Sequence, residues 1–322
     1  MLQVFVRQPK GLYAAADAAS ALASPAFVWA DLCAPADSEA LRDGEAKIEA
    51  ALGLEVPTPS ERRAFEESAR FYEDRQALYL TVTLMGQRTE GAFIADAVTF
   101  ILSQGRLVTV RAIRPRAFNI GESRSSARIT DAADGGAVLL ALLEGVVERI
   151  ADVLQEGGGE AKRLSASVFV LDERSRHREL LRELGTQGTL TALCHESLAS
   201  LQRLCLYAAD VSERYGLPRQ RFEALGRDVS ELERQTDALQ AHLGFLMQAA
   251  LGLVGAAQNN VLRAVALATI AFAPATLVAS VFGMNFEAMT WFAHAWGPWA
   301  AGGLMLAAPA ALFGVARWRG WF

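Results

Sequence analysis

Cysteine is scarce in this chain: Cys33, Cys194 and Cys205 are the only three in 322 residues, with no CxxC pair among them. That excludes a disulfide framework or a zinc ribbon and leaves three buried or idle thiols in a reducing compartment. The four histidines, His177, His195, His242 and His294, are far apart and lack metal-ligand spacing, so they read as ordinary side chains. No strand-GxxxxGK[ST]-helix sequence occurs, GGGEAKRLS reading as a helix end, so no built-in ATPase and no enzyme is expected. The start, MLQVFVRQPK, lacks the charged and apolar segments of a signal peptide, which predicts a cytosolic location for the polar part.

Charge is missing from one end. Of 36 acidic residues, all but Glu287 lie at or before Asp237, and 29 of the 31 Lys and Arg lie at or before Arg263. Residues 1 to 257 carry 28 basic and 35 acidic side chains, a net of −7, which argues against a nucleic-acid partner held by phosphate contacts and favours cations.

The uncharged end is filled by apolar residues. Ala264 to Phe282 is 19 residues without a charge, enough at about 1.5 Å per residue to cross a hydrocarbon core of about 30 Å. Trp299 to Ala316 is a second such stretch, followed at once by Arg317 and Arg319. The positive-inside bias then places the tail RWRGWF and the large N-terminal part in the cytoplasm and the intervening loop outside. Phe286, Trp291, Phe292 and Trp296 fall at one interface and Trp318 and Trp321 at the other. The plainer alternative is two buried helices of a soluble protein.

The N-terminal part alternates strand-like and helix-like signals. FVWADL (27 to 32) predicts a strand and residues 38 to 54 a helix, while TPSE (58 to 61) has the form of a capping box with Pro59 at the first helical position. ARFYEDRQALYLTVTLM and FIADAVTFILSQGRLVTVRAI predict two hairpins turning near Asp74 and Gly105. Residues 135 to 156 predict a strong helix, ended by Gly157 to Gly159, and the chain beyond these glycines is almost wholly helical in pattern.

After Gly216-Leu217-Pro218, a strict 3,4 spacing runs through Phe222, Leu225, Val229, Leu232, Thr236, Leu239, Leu243, Leu246, Ala250, Leu253 and Ala257. This heptad seam predicts one helix from Arg219 to Gly283, about 65 residues and roughly 97 Å long. The uncharged segment 243 to 262 could instead turn at Gln258-Asn259-Asn260 as a further span, although the periodicity continues through it. A second stripe at the same spacing, Gly255, Asn259, Leu262, Ala266, Thr269, Ala273, Thr276 and Ser280, is mostly small or hydroxylic, with bulky Val261, Leu267, Phe272, Leu277 and Val281 beside it. Small residues let transmembrane backbones pack closely, and polar groups at both ends of one face suit a water-filled axis; the spacing alone leaves both readings open.

The sequence FGMNF (282 to 286) ends a Pro-containing span and precedes a short loop, a second span and a basic tail. In that position it resembles the CorA magnesium transporter family, whose signature is a Gly-Met-Asn tripeptide closing the first of two C-terminal spans. WADL, the PTPSERRAFEESARFYEDRQALYLTVTL block and the long helix share the resemblance, hence most of the chain. ZntB zinc transporters are related members.

The resemblance implies an α+β membrane protein, a homopentamer with an N-terminal α/β cytoplasmic domain, a long stalk helix and two C-terminal transmembrane helices. It divides the chain into a cytoplasmic domain (1–187), stalk helices (188–262), a pore-lining span (263–283), a periplasmic loop (284–297), a second span (298–316) and a cytoplasmic tail (317–322). It further implies an inner-membrane location and Mg²⁺, with Co²⁺ or Ni²⁺ as further cargo and no nucleotide. Gly283, Met284 and Asn285 would form the selectivity filter. Asn259 would stand at the inner end, Leu262 with Val265 or Ala266 would form the hydrophobic gate, and Thr269, Ala273, Thr276 and Ser280 would line the route. Phe282 stands where a tyrosine is common, and Ala288-Met289-Thr290 departs from the usual Met-Pro-Glu, leaving Glu287 as the loop's one acid for ion capture. Asp228, Glu231 and Asp237 on the stalk are candidates for a regulatory metal site, with partners limited to divalent cations, lipid and further copies of the chain. Other readings are a ZntB-like zinc transporter and a membrane-anchored coiled-coil scaffold or sensor.

Overall fold

The computed structural model describes residues 1–35, 38–64, 66–74, 77–87, 93–119, 126–168, 174–284 and 296–320. The chain forms two units, Met1–Met247 and Gln248–Phe322.

In the first unit seven strands form one sheet: β1 (Leu2–Gln8), β2 (Gly11–Ala14), β3 (Phe27–Cys33), β4 (Phe71–Asp74), β5 (Ala77–Gln87), β6 (Phe93–Ser103) and β7 (Arg106–Arg111). Their order is β2-β1-β3-β7-β6-β5-β4, with β3 and β7 the parallel pair. The two hairpins expected from sequence are β4–β5 and β6–β7. The second turns through Gln104 and Gly105, both at positive φ (50° and 74°), the conformation a two-residue hairpin loop needs.

The sheet is covered on both faces, which is why its central strands read as nearly continuous apolar runs. One face carries α1 (Ala18–Leu22) and α2 (Glu39–Leu52), with Phe27, Leu32, Ile48, Tyr79, Ile101 and Val110 between them. Short helices α3 (Pro59–Arg62) and α4 (Glu67–Arg70) come next, α3 opening on the expected capping box: Thr58 accepts from the Glu61 N–H while Glu61 reaches back to the Thr58 N–H. The other face carries α6 (Gly135–Val168) and α7 (Arg174–Asp210), reached through α5 (Ser126–Asp131). Leu78, Leu80, Val82 and Leu84 of β5 meet Leu139, Leu143, Leu198 and Leu201 in this core. Each such side chain contributes roughly 1.5–3 kcal/mol by leaving water.

Gly135 allows the close approach of α6 to the sheet. Its N–H donates to Gly105 O at 2.6 Å, and a Cβ there would stand 2.5 Å from the Leu107 backbone nitrogen.

One expectation is corrected. Gly157 to Gly159 do not end a helix, because α6 runs on to Val168. Gly157 is buried, and the place of its missing Cβ lies 3.4 Å from Leu239, so glycine there fits the neighbouring helix, and burial of Ala161, Leu164 and Val168 keeps the turns beyond it helical. Packing outweighs the roughly 1 kcal/mol per residue that glycine costs a helix. The N-terminal half of the heptad seam is covered within one chain: Phe222, Leu225 and Val229 belong to the core under the sheet, with Leu232 and Leu239 packed against it.

The seam lies on α9 (Arg219–Phe282), a single 64-residue helix entered through α8 (Ser212–Tyr215) and the αL residue Gly216. In the second unit the C-terminal part of α9 is joined by α10 (Gly297–Trp318), each with an apolar window only 6% buried.

Candidate functional site

The candidate site is the apolar half of α9. From Ala264 to its end, the positions that the unit half-covers are Ile270, Pro274, Ala275, Val278 and Phe282. At 100° per residue these centre roughly 150° round the helix from the stripe of small and polar residues. Gly255, Asn259, Ala266, Thr269, Ala273, Thr276 and Ser280 are accordingly exposed, as are Leu262 and Val265, which are 66% and 57% exposed. One chain therefore leaves its least apolar face uncovered together with the bulky positions beside it, Phe272 being 71% and Leu277 66% exposed, although Pro274 lies inside the same helix.

Two hydroxyls on this face already have a donor's use. Thr269 Oγ1 donates to Val265 O at 2.9 Å and Thr276 Oγ1 to Phe272 O at 2.8 Å. Each spends its proton on its own helix and turns lone pairs outward, so the face can accept hydrogen bonds from water without carrying charge. The helix unwinds at Gly283, whose N–H bonds to Ala279 O at 2.9 Å, while the Met284 N–H reaches Val281 O at a longer 3.4 Å. A Cβ on Gly283 would press on Ala279 O at 3.1 Å, and Met284 is exposed. Asn285 and Glu287 lie outside the described residues.

The three stalk acids are on the surface of the first unit but do not gather. Glu231 is bonded to Arg234 and, at 3.3 Å, to Gln235, and these two hold its carboxyl below the usual range. Asp237 Oδ1 lies 3.4 Å from His195 Nδ1, and Asp228 is exposed. Among the described residues no group of three or more His, Cys, Asp or Glu is placed to hold a metal ion.

One acid that the strand pattern did not single out lies deep in the sheet. Asp31, within the WADL segment, accepts two bonds from Arg111, and its signal in the sequence was a lone carboxylate inside an apolar strand. Its burial with a matched partner makes it structural.

A sequence profile of the family described as CorA-like Mg²⁺ transporter protein matches residues 24–318. The chain belongs to this family. A magnesium transport protein CorA of Mannheimia succiniciproducens is 32% identical over 305 residues, covering 91% of this chain and 92% of the relative. The CorA of Salmonella typhimurium is 32% identical over 267 residues, 81% of each chain. In three dimensions the complete CorA magnesium transporter of Methanocaldococcus jannaschii aligns over 100% of this chain and 99% of its own, with a TM-score of 0.67 at 18% identity. The cytoplasmic domain of ZntB from Vibrio parahaemolyticus aligns over 79% of this chain with a TM-score of 0.56 at 11% identity, a likeness of fold alone.

CorA-family membership makes α9 and α10 transmembrane helices and the exposed apolar surface of the second unit a membrane surface. It also gives the uncovered stripe a setting, since a polar face within a bilayer must meet either another helix or water.

Proposed function

We propose that the protein is a passive Mg²⁺ channel of the inner membrane, with both termini cytoplasmic, in which five copies of α9 surround a water-filled axis. The observation that carries this reading is the stripe from Asn259 to Ser280, left uncovered on the face nearly opposite the half-covered one. Its members are neutral, with the Thr269 and Thr276 hydroxyl protons spent on the helix. Magnesium releases its waters reluctantly, so a neutral acceptor lining suits a hydrated ion, whereas a carboxylate ring would hold it.

In this reading Gly283, Met284 and Asn285 form the outer filter, with five Asn285 amides accepting hydrogen bonds from the ion's hydration shell. Glu287 raises the local cation concentration at the mouth. Leu262, with Val265 or Ala266, closes the inner end, where exposed leucines from neighbouring copies would meet and exclude water. Entry needs no nucleotide: at about 100 mV, inside negative, a divalent ion gains roughly 4.6 kcal/mol. Co²⁺ and Ni²⁺, also compact divalent ions, would share the route.

The test is uptake by the purified full chain in liposomes holding an ion-sensitive dye, with a potassium-diffusion potential imposed. Mg²⁺ uptake that rises with inside-negative potential is expected. Zn²⁺ uptake without Mg²⁺ uptake would favour the zinc reading, and no flux of either would favour a tethered scaffold.

A further inference from the structure

Between Asp237 and Glu287 the chain has no acidic residue, yet it has Arg263 near the N-terminal end of the first span and Arg317 and Arg319 after the second. All three are exposed, and the ion pairs of the described residues all involve side chains at or before Asp237, so none of the three has a carboxylate partner among those residues. Both spans start from the connection 283–296. Arg263 is 19 residues before Phe282, about 28 Å along α9, and Arg317 is 20 residues after Gly297, about 30 Å along α10. Two helices crossing one bilayer therefore bring these arginines to the same leaflet boundary. Arg263 also lies roughly 90° round the helix from the stripe, so it is not aimed along the proposed axis. Trp318, between the two tail arginines, is 85% exposed and is the side chain suited to the headgroup depth.

We infer that Arg263, Arg317 and Arg319 form a docking surface for the headgroups of anionic phospholipids on the leaflet facing the tail. A guanidinium binds a phosphate diester in bidentate fashion, and three cations at one depth, without a carboxylate partner among the described residues, complement the negative charge of that leaflet. The zwitterionic headgroup carries the same phosphate with a neutralising ammonium, so net charge distinguishes the two lipids. The inference rests on the two spans crossing a bilayer. It does not need transport, because lipid binding is read by mass and stands or falls apart from ion flux.

The experiment is native mass spectrometry of the full chain in mild detergent with equal concentrations of dioleoylphosphatidylglycerol and dioleoylphosphatidylcholine. The phosphatidylglycerol adduct should dominate. At about 1 kcal/mol per basic residue near an anionic surface, and about 1.4 kcal/mol per tenfold, each Arg→Gln change should weaken it about fivefold. Arg263→Gln alone leaves the tail that orients the second span intact and should show one such step; the triple variant should show no preference between the lipids. Equal adducts of both lipids on the native chain would overturn the inference, as would an unchanged preference in Arg263→Gln. Displacement of the lipid by an equal concentration of free glycerol phosphate would also overturn it, showing a site for a soluble anion instead.

Discussion

Arg111 grips Asp31 across the parallel strands β3 and β7, Nε to Oδ1 at 2.9 Å and Nη2 to Oδ2 at 2.7 Å. Thr109 Oγ1 donates to the same carboxylate at 2.7 Å and accepts from the Trp29 indole at 3.1 Å. Arg111 Nη1 donates to Ile113 O, and the guanidinium lies 4.8 Å from the Phe118 ring. Every strong donor and acceptor in this group is matched, which is what makes a buried pair tolerable. Asp31→Ala should therefore lower the unfolding free energy by roughly 3–5 kcal/mol, because it leaves the arginine buried and unpaired. Denaturant titration of the full chain followed by circular dichroism measures it; a loss under about 1 kcal/mol would show that the pair is not needed.

Two glycines of α6 should respond in opposite directions to alanine. At Gly135 the new Cβ would meet the backbone of Arg106 and Leu107 at 2.5–2.6 Å, so the helix must shift and stability should fall by about 1–3 kcal/mol. At Gly158 there is open space, and alanine should stabilise by up to about 1 kcal/mol. Thermal melts of the two variants against the native chain test the pair, and equal effects would contradict the packing described.

Burial pushes the Cys194 thiol up to about 11 and the Cys205 thiol up to about 12, while Cys33 is half-buried. In the unfolded chain a cysteine titrates near 8.5. Both folded values are raised, so the stability these thiols contribute is fully present below about pH 8.5 and is lost as pH rises toward 11–12. At pH 8 a maleimide should label Cys33 in the folded protein and all three cysteines after denaturation. Fast labelling of Cys205 in the folded protein would show that the core is open.

The stalk acids divide by their partners. Glu231 is already neutralised by Arg234 and Asp237 lies beside His195, so a cation bound between copies must displace those contacts, whereas Asp228 is exposed. If these acids sense internal Mg²⁺, replacing all three with Ala should weaken the block of current by internal Mg²⁺ at least several-fold, because each removes a carboxylate that would draw neighbouring copies together. Unchanged inhibition in patch recordings would remove them as the sensor.

Local signals were legible where local physics decides them. The Thr58–Glu61 box, the Gln104-Gly105 turn and the spacing of α9 each depend on neighbours within a few residues, and each has the expected form. The β3–β7 pairing joins segments almost eighty residues apart, and no period within either strand announces it. The glycines at 157–159 misled because a breaker by propensity served as a contact for Leu239. The seam shows a different limit: 3,4 spacing reports a buried face but not what covers it, and α9 buries Phe222, Leu225 and Val229 in the core of its own chain. At the site the face was readable because small and bulky residues alternate with helical period, but the route of an ion was not, since one sequence cannot say whether water or a helix meets that face.

Ser280 and Val281 separate those two answers at one depth in the membrane. They are consecutive residues 100° apart on α9, Ser280 in the stripe and Val281 beside it, and both are exposed in a single chain. The measurement is Mg²⁺ uptake by proteoliposomes carrying Ser280→Cys or Val281→Cys, each with Cys33→Ser, before and after a water-soluble cationic thiosulfonate. The account predicts that the reagent abolishes uptake through Ser280→Cys and leaves Val281→Cys conducting. Equal modification of the two, or a fully labelled Ser280→Cys protein that still conducts, would contradict a water-filled pathway along this face.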